Sequence, residues 1–272
     1  MSISGQGLAE VIVSDNSFLA RLFANLNAPR FSLAAILRYL ARPDHPLAWM
    51  SIPMASASGT LFTGHELTCI RGERLVFAGL DFAIGAGDAL LLVGANGSGK
   101  SSLLRLMAGL LRPAGGAVQW SGESIAIDPE AHNARLHYVG HLDPVKAALT
   151  VAENLAFWAR LGNGSGVVTE ALKTFDSASL SDVPGRFLSA GQKRRANLAR
   201  LAASEATLWL LDEPTTALDA AATSCLMKAI ARHRAGGGMV AISTHVELAL
   251  DGARRLDLDT FARQPDPVEA AP

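Results

Sequence analysis

Cysteine is scarce in this sequence: its 272 residues include only Cys69 and Cys225, which lie far apart. Two isolated cysteines give neither a disulfide framework nor the paired spacing of a zinc or haem-attachment site. The seven histidines are scattered and predict no ligand cluster. We therefore expect both cysteines to be small core residues of a protein from a reducing compartment.

Charge of one sign and long apolar runs are also lacking. The formal net charge is −1, so no overall field attracts nucleic acid, and we expect no nucleic-acid partner. No run approaches the roughly 18 apolar residues that would span a bilayer. If the protein works at a membrane, another chain must supply the span. Hydrophobic residues make up 49% of the chain, enough for a large buried core.

The most informative stretch is a glycine-rich loop at residues 94–101. Its sequence, GANGSGKS, fits G-x-x-x-x-G-K-S/T without a mismatch. A strand-like apolar run precedes it and a helix-like run follows, which is the context in which this motif binds nucleotide phosphates. The alternative is a glycine-rich turn that only packs a helix on a sheet.

The chemistry of this loop follows from its residue types. Glycines let successive N–H groups converge on one anion, and the positive end of the next helix adds to the attraction. Lys100 is expected to bridge the β- and γ-phosphates, and the Ser101 hydroxyl to complete a magnesium shell. The predicted ATP-binding residues are Gly94, Ala95, Asn96, Gly97, Ser98, Gly99, Lys100, Ser101 and Ser102.

The chain divides at about residue 60. Residues 1–60 contain short, arginine-dotted, helix-like pieces interrupted by prolines, so we expect a poorly ordered or partly helical extension. An amphipathic arm on a membrane surface and a translation start at Met54 are alternatives, whereas the pattern of a signal peptide is missing. A single domain is expected over residues 61–262 and a frayed tail over 263–272.

Apolar runs that alternate with helix-like segments predict an α/β fold with a parallel sheet. The run at 207–211 predicts a central strand that ends in Asp212 and Glu213, and a second buried strand at 239–243 precedes His245. Ligands bind beyond the carboxyl ends of such strands. These side chains are therefore expected at a ligand site.

A further motif, LSAGQKRR, lies at residues 188–195. Together with the phosphate loop, the Asp212-Glu213 pair, Asp219 and His245 in this order, it makes the chain resemble the nucleotide-binding subunits of ABC ATPases over roughly residues 64–260. The resemblance implies a P-loop NTPase of ABC type. This fold has a central, mainly parallel sheet with flanking helices. It also has a small antiparallel β subdomain and a helical subdomain, here at about residues 141–190.

The resemblance also implies a role for each matched residue. Asp212 would hold Mg²⁺ through water, and Glu213, His245 and Lys100 would form the catalytic set, with Glu213 polarising the attacking water. Asp219 would lie in a loop at a dimer interface. The signature residues that would cap the γ-phosphate of ATP held by a second subunit are Leu188, Ser189, Ala190, Gly191 and Gln192.

Within ABC ATPases the sequence is most similar to the CcmA family, the ATPases of cytochrome c maturation, through residues 140–155, 188–195 and 238–245. This implies an ATP-hydrolysing subunit that uses ATP and Mg²⁺ and forms a homodimer around two ATP molecules. It would be peripheral on the cytoplasmic face of the inner membrane, bound to integral-membrane subunits of the CcmB and CcmC type. Hydrolysis would drive haem export or the release of a haem-loaded chaperone.

Three alternatives follow from the same motifs. The chain could be the ATPase of a transporter for another substrate, because substrate choice lies in the membrane chains. A soluble ABC ATPase of DNA repair or translation would predict a coiled-coil insertion, zinc sites or a second cassette, and the sequence has none of these. A non-catalytic scaffold would predict loss of Lys100 or Glu213, and both are present.

The sequence departs from the ABC pattern at three places. Ala190 replaces the middle glycine of the signature, which keeps the N–H and adds one methyl group. His141-Leu142-Asp143 stands where most ABC ATPases have a glutamine, so His141 or Asp143 is a candidate substitute. Arg71 stands where an aromatic ring usually stacks on adenine; a guanidinium can stack on a base, and Phe77 is the rival.

Overall fold

The computed structural model describes residues 60–161, 168–246 and 248–261. The predictions for the N-terminal extension, apart from its last residue, for a start at Met54 and for the tail at 263–272 lie outside these ranges. The strands are β1 (Leu61–Arg71), β2 (Arg74–Gly85), β3 (Ala89–Val93), β4 (Gly115–Trp120), β5 (Glu123–Ser124), β6 (Leu136–Val139), β7 (Leu208–Asp212), β8 (Met239–Ser243) and β9 (Arg254–Asp257). The helices are α1 (Lys100–Met107), α2 (Pro129–Ala134), α3 (Val151–Leu161), α4 (Val168–Thr174), α5 (Ala190–Leu198), α6 (Arg200–Ala203) and α7 (Ala220–Ala235).

Five strands form a parallel sheet in the order β6-β7-β8-β3-β9. Both β7 and β8 are buried along their whole length, which explains why their sequences are continuous apolar runs. The predicted α/β fold with a central parallel sheet is thus confirmed. In this arrangement the carboxyl ends of β3, β7 and β8 lie side by side.

The other four strands form an antiparallel sheet in the order β2-β1-β4-β5. A two-residue turn joins β1 to β2, because Arg71 pairs with Arg74 and Gly72 adopts a φ of 61°. The inner face of this sheet carries Phe62, Leu67 and Phe77, all fully buried. A register irregularity in β1 between Gly64 and Leu67 lets Phe62 and Leu67 face the same side. The small antiparallel subdomain of the ABC pattern is therefore present.

The parallel sheet separates two hydrophobic cores. Leu208 and Leu210 of β7 face the core that contains α1 and the antiparallel sheet. Trp209 and Leu211, one residue out of phase, face the core that contains the helices α3 to α7. The central strand is therefore apolar on both faces, and its polar residue, Asp212, stands at its end.

Local signals set the helix boundaries. Thr150 and Glu153, spaced as in a capping box, form one at the start of α3: the Thr150 N–H donates to Glu153 Oε2 at 2.8 Å, and the Glu153 N–H donates to Thr150 Oγ1 at 3.2 Å. Gly236, the first of three consecutive glycines, ends α7. The helix α2, not expected from the sequence, has Asp128 as its N-cap and Pro129 at its first position, a recognised start signal.

The alternation of polar and apolar residues at 255–259 predicts an edge strand near the C-terminus, and the corresponding strand, β9, is shorter at this end. It ends at Asp257, and residues Leu258–Thr260 form a turn of 3₁₀ helix. The expectation that Asp259 belongs to the strand is therefore wrong, and the turn directs its carboxylate towards the loop after β3.

One buried histidine predicts how stability depends on pH. His132 is 3% exposed, and its Nδ1 accepts a hydrogen bond from Trp120 Nε1 at 3.0 Å. Burial lowers the pKa of His132 below 6.5, and the same cause lowers the pKa of His137 and His233.

When the pKa of a histidine is lower in the folded than in the unfolded state, folding favours the neutral imidazole. The contribution of these histidines to the free energy of unfolding is therefore fully present above about pH 6.5 and is lost as the pH falls through their lowered pKa values. We expect the thermal midpoint to fall between about pH 7 and pH 5. His132→Gln, which can still accept from Trp120 but does not titrate, should flatten that decline. An unchanged pH slope in this variant would contradict the assignment to His132.

Candidate nucleotide-binding site

The loop from Gly94 to Gly99 joins the end of β3 to the start of α1. Gly94, Gly97 and Gly99 have φ values of 133°, 83° and 106°, a region that favours glycine. A Cβ atom at Gly99 would lie 2.7 Å from Val76 Cγ1 and 2.8 Å from Phe77 Cδ1. The glycine spacing of the motif is therefore required by backbone conformation and, at Gly99, by close packing on β2.

Lys100 is the first residue of α1, and its side chain folds over this loop. It is 6% exposed, and its Nζ donates to Gly94 O at 2.8 Å and Ala95 O at 3.0 Å. Within the described ranges no carboxylate pairs with it. The cation thus lies at the loop together with the N-terminus of a helix, and both favour a bound anion.

The remaining predicted loop residues fall into three environments. Ser98 is buried, and its Oγ has no hydrogen-bond partner among the described residues. Ser101 and Ser102 are half-buried on the first turn of α1. Ala95, Asn96 and Gly97 form the exposed tip. An unpartnered buried hydroxyl is unusual, and a ligand on the loop would give Ser98 a partner.

Asp212 brings three elements together at the end of β7. It is 1% exposed, and its Oδ1 accepts from Ser101 Oγ at 3.0 Å and from Ser243 Oγ at 2.6 Å. Its other oxygen, Oδ2, has no partner among the described residues. A buried carboxylate oxygen without a partner is costly, so a cation would stabilise it.

These residues fit Mg²⁺. The ion prefers oxygen ligands, keeps several waters and commonly takes one or two protein groups plus substrate phosphates. The Ser101 hydroxyl and the open Asp212 oxygen supply such groups beside the phosphate loop. The described residues contain no group of three or more His, Cys, Asp or Glu side chains that could hold a metal, so a fully protein-coordinated ion has no candidate there.

Glu213 and His245 lie in contact. Glu213 Oε2 is 2.5 Å from His245 Nδ1, and its side chain is 22% exposed. Its backbone has a φ of 48°, and its N–H donates to both the carbonyl and the hydroxyl of Ser243, at 3.2 and 3.0 Å. This carboxylate directly follows the buried Asp212 in the chain, and both it and the imidazole are partly exposed to solvent.

The signature residues open α5 on the surface. Ser189 caps the helix in a reciprocal box with Gln192, and Ser189 and Ala190 are exposed. Among the described residues no hydrogen bond joins 188–192 to the phosphate loop. The role of this helix towards the nucleotide of a second chain stays a prediction.

Asp219 has a clear local function. Its carboxylate accepts from the Ala222 N–H at 2.7 Å and so caps α7. The loop before it packs on the signature, since a Cβ atom at Gly191 would lie 2.8 Å from Ala217 O. The role of Asp219 at a dimer interface stays a prediction.

The structure shows the surroundings of the residues at two of the departures from the ABC pattern. Asp143 Oδ1 accepts from Arg194 Nη1 at 3.0 Å and Asn197 Nδ2 at 2.7 Å, so it is bound to α5 rather than to Ser101 or Asp212. His141 is exposed. Phe77 is fully buried against Gly99 and cannot stack on a base, whereas Arg71 is exposed at the end of the β1–β2 hairpin.

Sequence reasoning missed three residues that the structure adds to the site. Asp259 accepts from the Ala95 N–H with Oδ1 at 3.1 Å and Oδ2 at 3.0 Å, and nothing local to residue 259 indicates a contact 164 positions away. Ser243 orients Asp212 and Glu213, and a polar residue that ends a buried strand is a readable signal for it. Arg194, in the signature helix, contacts the Asp212 and Glu213 carbonyls.

The fold and the loop together define a P-loop nucleotide-binding domain of the ABC type. A five-stranded parallel sheet carries the phosphate loop, an antiparallel sheet packs on one side, and a helical layer carries the signature. The carboxyl ends of β3, β7 and β8 supply Lys100, Asp212, Glu213 and His245 to one edge.

Known proteins agree with this class. The ABC transporter family matches residues 77–216. The cytochrome c biogenesis ATP-binding export protein CcmA of Rhodospirillum rubrum is 59% identical over 227 residues, which cover 82% of this chain and 97% of the relative. The CcmA protein of Paramagnetospirillum magneticum is 56% identical over 210 residues, covering 75% and 97%. The chain belongs to the ABC transporter family and, within it, to the CcmA proteins.

Solved structures show the same fold. A putative ABC transporter ATP-binding protein from Pyrococcus furiosus superposes with a TM-score of 0.65 at 22% identity, covering 75% of this chain and all of that one. An ATP-binding cassette described as dimeric, in a post-hydrolysis state and bound to ADP and Pi, gives 0.61 at 22% identity, covering 68% and 88%. Within the described residues, no helix is both long and apolar enough to cross a membrane.

The packing of Gly99 gives a test of the loop. Gly99→Ala would combine a disfavoured φ with a Cβ clash on Val76 and Phe77, and should destabilise the domain by about 1–3 kcal/mol. Gly97→Ala is the matched control, because its φ is also positive but nothing lies within 4 Å of a Cβ there; it should cost about 1 kcal/mol. Urea unfolding measures both, and equal losses would contradict the packing argument.

Proposed function

We propose that this chain is the ATP-hydrolysing subunit of a membrane ABC complex that serves cytochrome c maturation. The observation that carries the ATPase assignment is the set of contacts around Asp212, which joins the phosphate-loop helix to two strand ends and leaves one carboxylate oxygen open. The cytochrome c assignment rests on the similarity to the CcmA relatives, which are cytochrome c biogenesis ATP-binding export proteins.

The nucleotide's phosphates would bind over the loop. Backbone N–H groups near the start of α1, the helix dipole and the Lys100 ammonium favour the β- and γ-phosphates there. Ser101 and Asp212 would hold Mg²⁺, which neutralises part of the charge on the phosphates. Lys100 would give up its hydrogen bonds to the two loop carbonyls and donate to phosphate oxygens instead.

Glu213 would act on the attacking water. Its carboxylate is partly exposed and contacts the His245 imidazole, so it can accept a hydrogen bond from water placed in line with the γ-phosphate. His245 would orient this carboxylate and donate to the phosphate. The water oxygen forms a bond to phosphorus as the bond to ADP breaks, and the proton passes to the phosphate product. Help of this kind contributes roughly 10²- to 10⁴-fold in rate.

A homodimer would complete the site. The exposed start of α5, with its Ser189 cap, offers backbone N–H groups to a γ-phosphate on a facing chain. The cassette described as dimeric and bound to ADP and Pi supports this arrangement by fold likeness. ATP would hold two chains together, and hydrolysis would let them separate.

The membrane partners would be integral subunits of the CcmB and CcmC type, and this chain would bind them at the cytoplasmic face of the inner membrane. Two large apolar residues of α3 are exposed, Phe157 at 42% and Leu161 at 63%, and Leu142, in the segment before α3, is 82% exposed. Phe157 and Leu161 are four positions apart and so share one face of α3, which we propose as the surface that meets the membrane subunits. Hydrolysis would be coupled through them to haem export or to the release of a haem-loaded chaperone, the alternative being another transported substrate.

Replacing the catalytic carboxylate should separate binding from hydrolysis. Glu213→Gln removes the acceptor for the water but leaves the loop, Lys100 and Asp212 in place. We expect ATP affinity within about twofold of the wild type, hydrolysis reduced by at least about 100-fold and an ATP-dependent dimer in light scattering. Lys100→Ala, the matched control, should lose ATP binding itself. A Glu213→Gln chain that stays monomeric in saturating ATP would contradict the shared site.

The cellular role has its own test. Cells whose only copy carries Glu213→Gln should lose haem-stained c-type cytochromes, because maturation would lack its ATPase. Glu170→Gln, an exposed change on α4 that removes one surface ion pair, should leave them at wild-type level. Normal cytochromes with the Glu213→Gln chain would favour a transporter for another substrate.

A further inference from the structure

A single buried guanidinium connects three segments around the site. Arg194, on α5, is 3% exposed. Its Nη2 donates to Asp212 O at 2.9 Å and Glu213 O at 2.8 Å, and its Nε donates to Pro214 O at 3.3 Å. Its Nη1 donates to Gly140 O at 2.9 Å and to Asp143 Oδ1 at 3.0 Å.

The charge and shape of this group make the connection rigid. Asp143 balances the buried cation, and Asn197, one turn further along α5, donates to the same carboxylate oxygen at 2.7 Å. A guanidinium presents its donors in a fixed planar fork. When α5 moves, the loop after β6 and the turn after β7 must therefore move with it or lose these bonds.

Glu213 is sensitive to such movement. Its backbone has a φ of 48°, a conformation that a non-glycine residue keeps only when its surroundings hold it. Ser243 holds the N–H of this residue, and Arg194 holds its carbonyl. Because the side chain leaves from this same backbone, rotation at residue 213 would swing the carboxylate away from His245.

We propose that Arg194 is a positioning residue that couples the two ATP sites of the dimer. The first residues of its helix would contact the nucleotide of the partner chain, while its guanidinium sets the direction of its own chain's Glu213. Each chain therefore hydrolyses its ATP rapidly only when its α5 is seated on the partner's ATP. This inference rests on the proposed function as a dimeric ATPase.

Arg195 is the matched control for Arg194. It is the next residue of the same helix and has the same charge. In the described residues, its hydrogen bonds go to the carbonyl and carboxylate of Asp176, at 3.2 and 3.5 Å. A change that acts only through helix charge or helix stability would affect both positions, whereas positioning of Glu213 is specific to Arg194.

The test is the dependence of hydrolysis on ATP concentration in the purified full-length chain. Arg194→Gln should keep ATP affinity within about twofold and lower kcat at least about tenfold. It should also bring the Hill coefficient from above 1 to about 1. Arg194→Lys, which keeps the charge without the fork, should not restore the rate. Asp143→Asn, a milder change, should give a partial loss of kcat, and Arg195→Gln should match the wild type.

Combining variants separates positioning from general damage. In a Glu213→Gln background, Arg194→Gln should lower the residual rate no further, because the carboxylate it positions is already gone. If the two losses multiply, or if Arg194→Gln lowers kcat and ATP affinity in the same proportion as Arg195→Gln, the inference is overturned. A wild-type chain without ATP hydrolysis would reject the proposed function itself and the inference with it.

Discussion

The buried carboxylate of Asp212 is the constraint on which the site depends. A charged group at the end of an apolar central strand is costly to bury, by several kcal/mol unless it is paired, and here two serine hydroxyls from α1 and β8 satisfy only one of its oxygens. This group joins the start of α1, the end of β7 and the end of β8. A cation beside Ser101 would satisfy the other oxygen.

Much of this arrangement follows from local sequence. The glycine spacing at 94–99 predicts the phosphate loop, and the structure shows why Gly99 is a glycine: a Cβ atom there has no space. The apolar runs at 207–211 and 239–243 predict strands that are buried on both faces. Parallel strands then bring Asp212 and His245 to one edge without further information. The capping box at Thr150 and the glycine run after α7 set helix ends for equally local reasons.

What the sequence could not predict depends on distant contacts. Asp259 reaches the Ala95 N–H only because β9 pairs with β3, and Arg194 finds its five acceptors only when α5 packs against two loops. Asp143, a possible substitute for the absent glutamine, instead becomes the counter-ion of Arg194. The helix α2 could have been predicted without distant contacts, because Asp128 and Pro129 form a local signal for a helix start. The signature residues stay a prediction because their proposed partner is another chain.

The most direct test is a crystal structure of the Glu213→Gln chain with ATP and Mg²⁺. We expect the phosphates of ATP on the 94–101 loop and the metal at Ser101 and Asp212. We also expect a second chain whose Ser189 hydroxyl and Gly191 N–H face the γ-phosphate, with Arg194 still bound to the carbonyl of residue 213. A nucleotide bound away from the loop, or a metal held by His141 or Asp143 without Asp212, would contradict it.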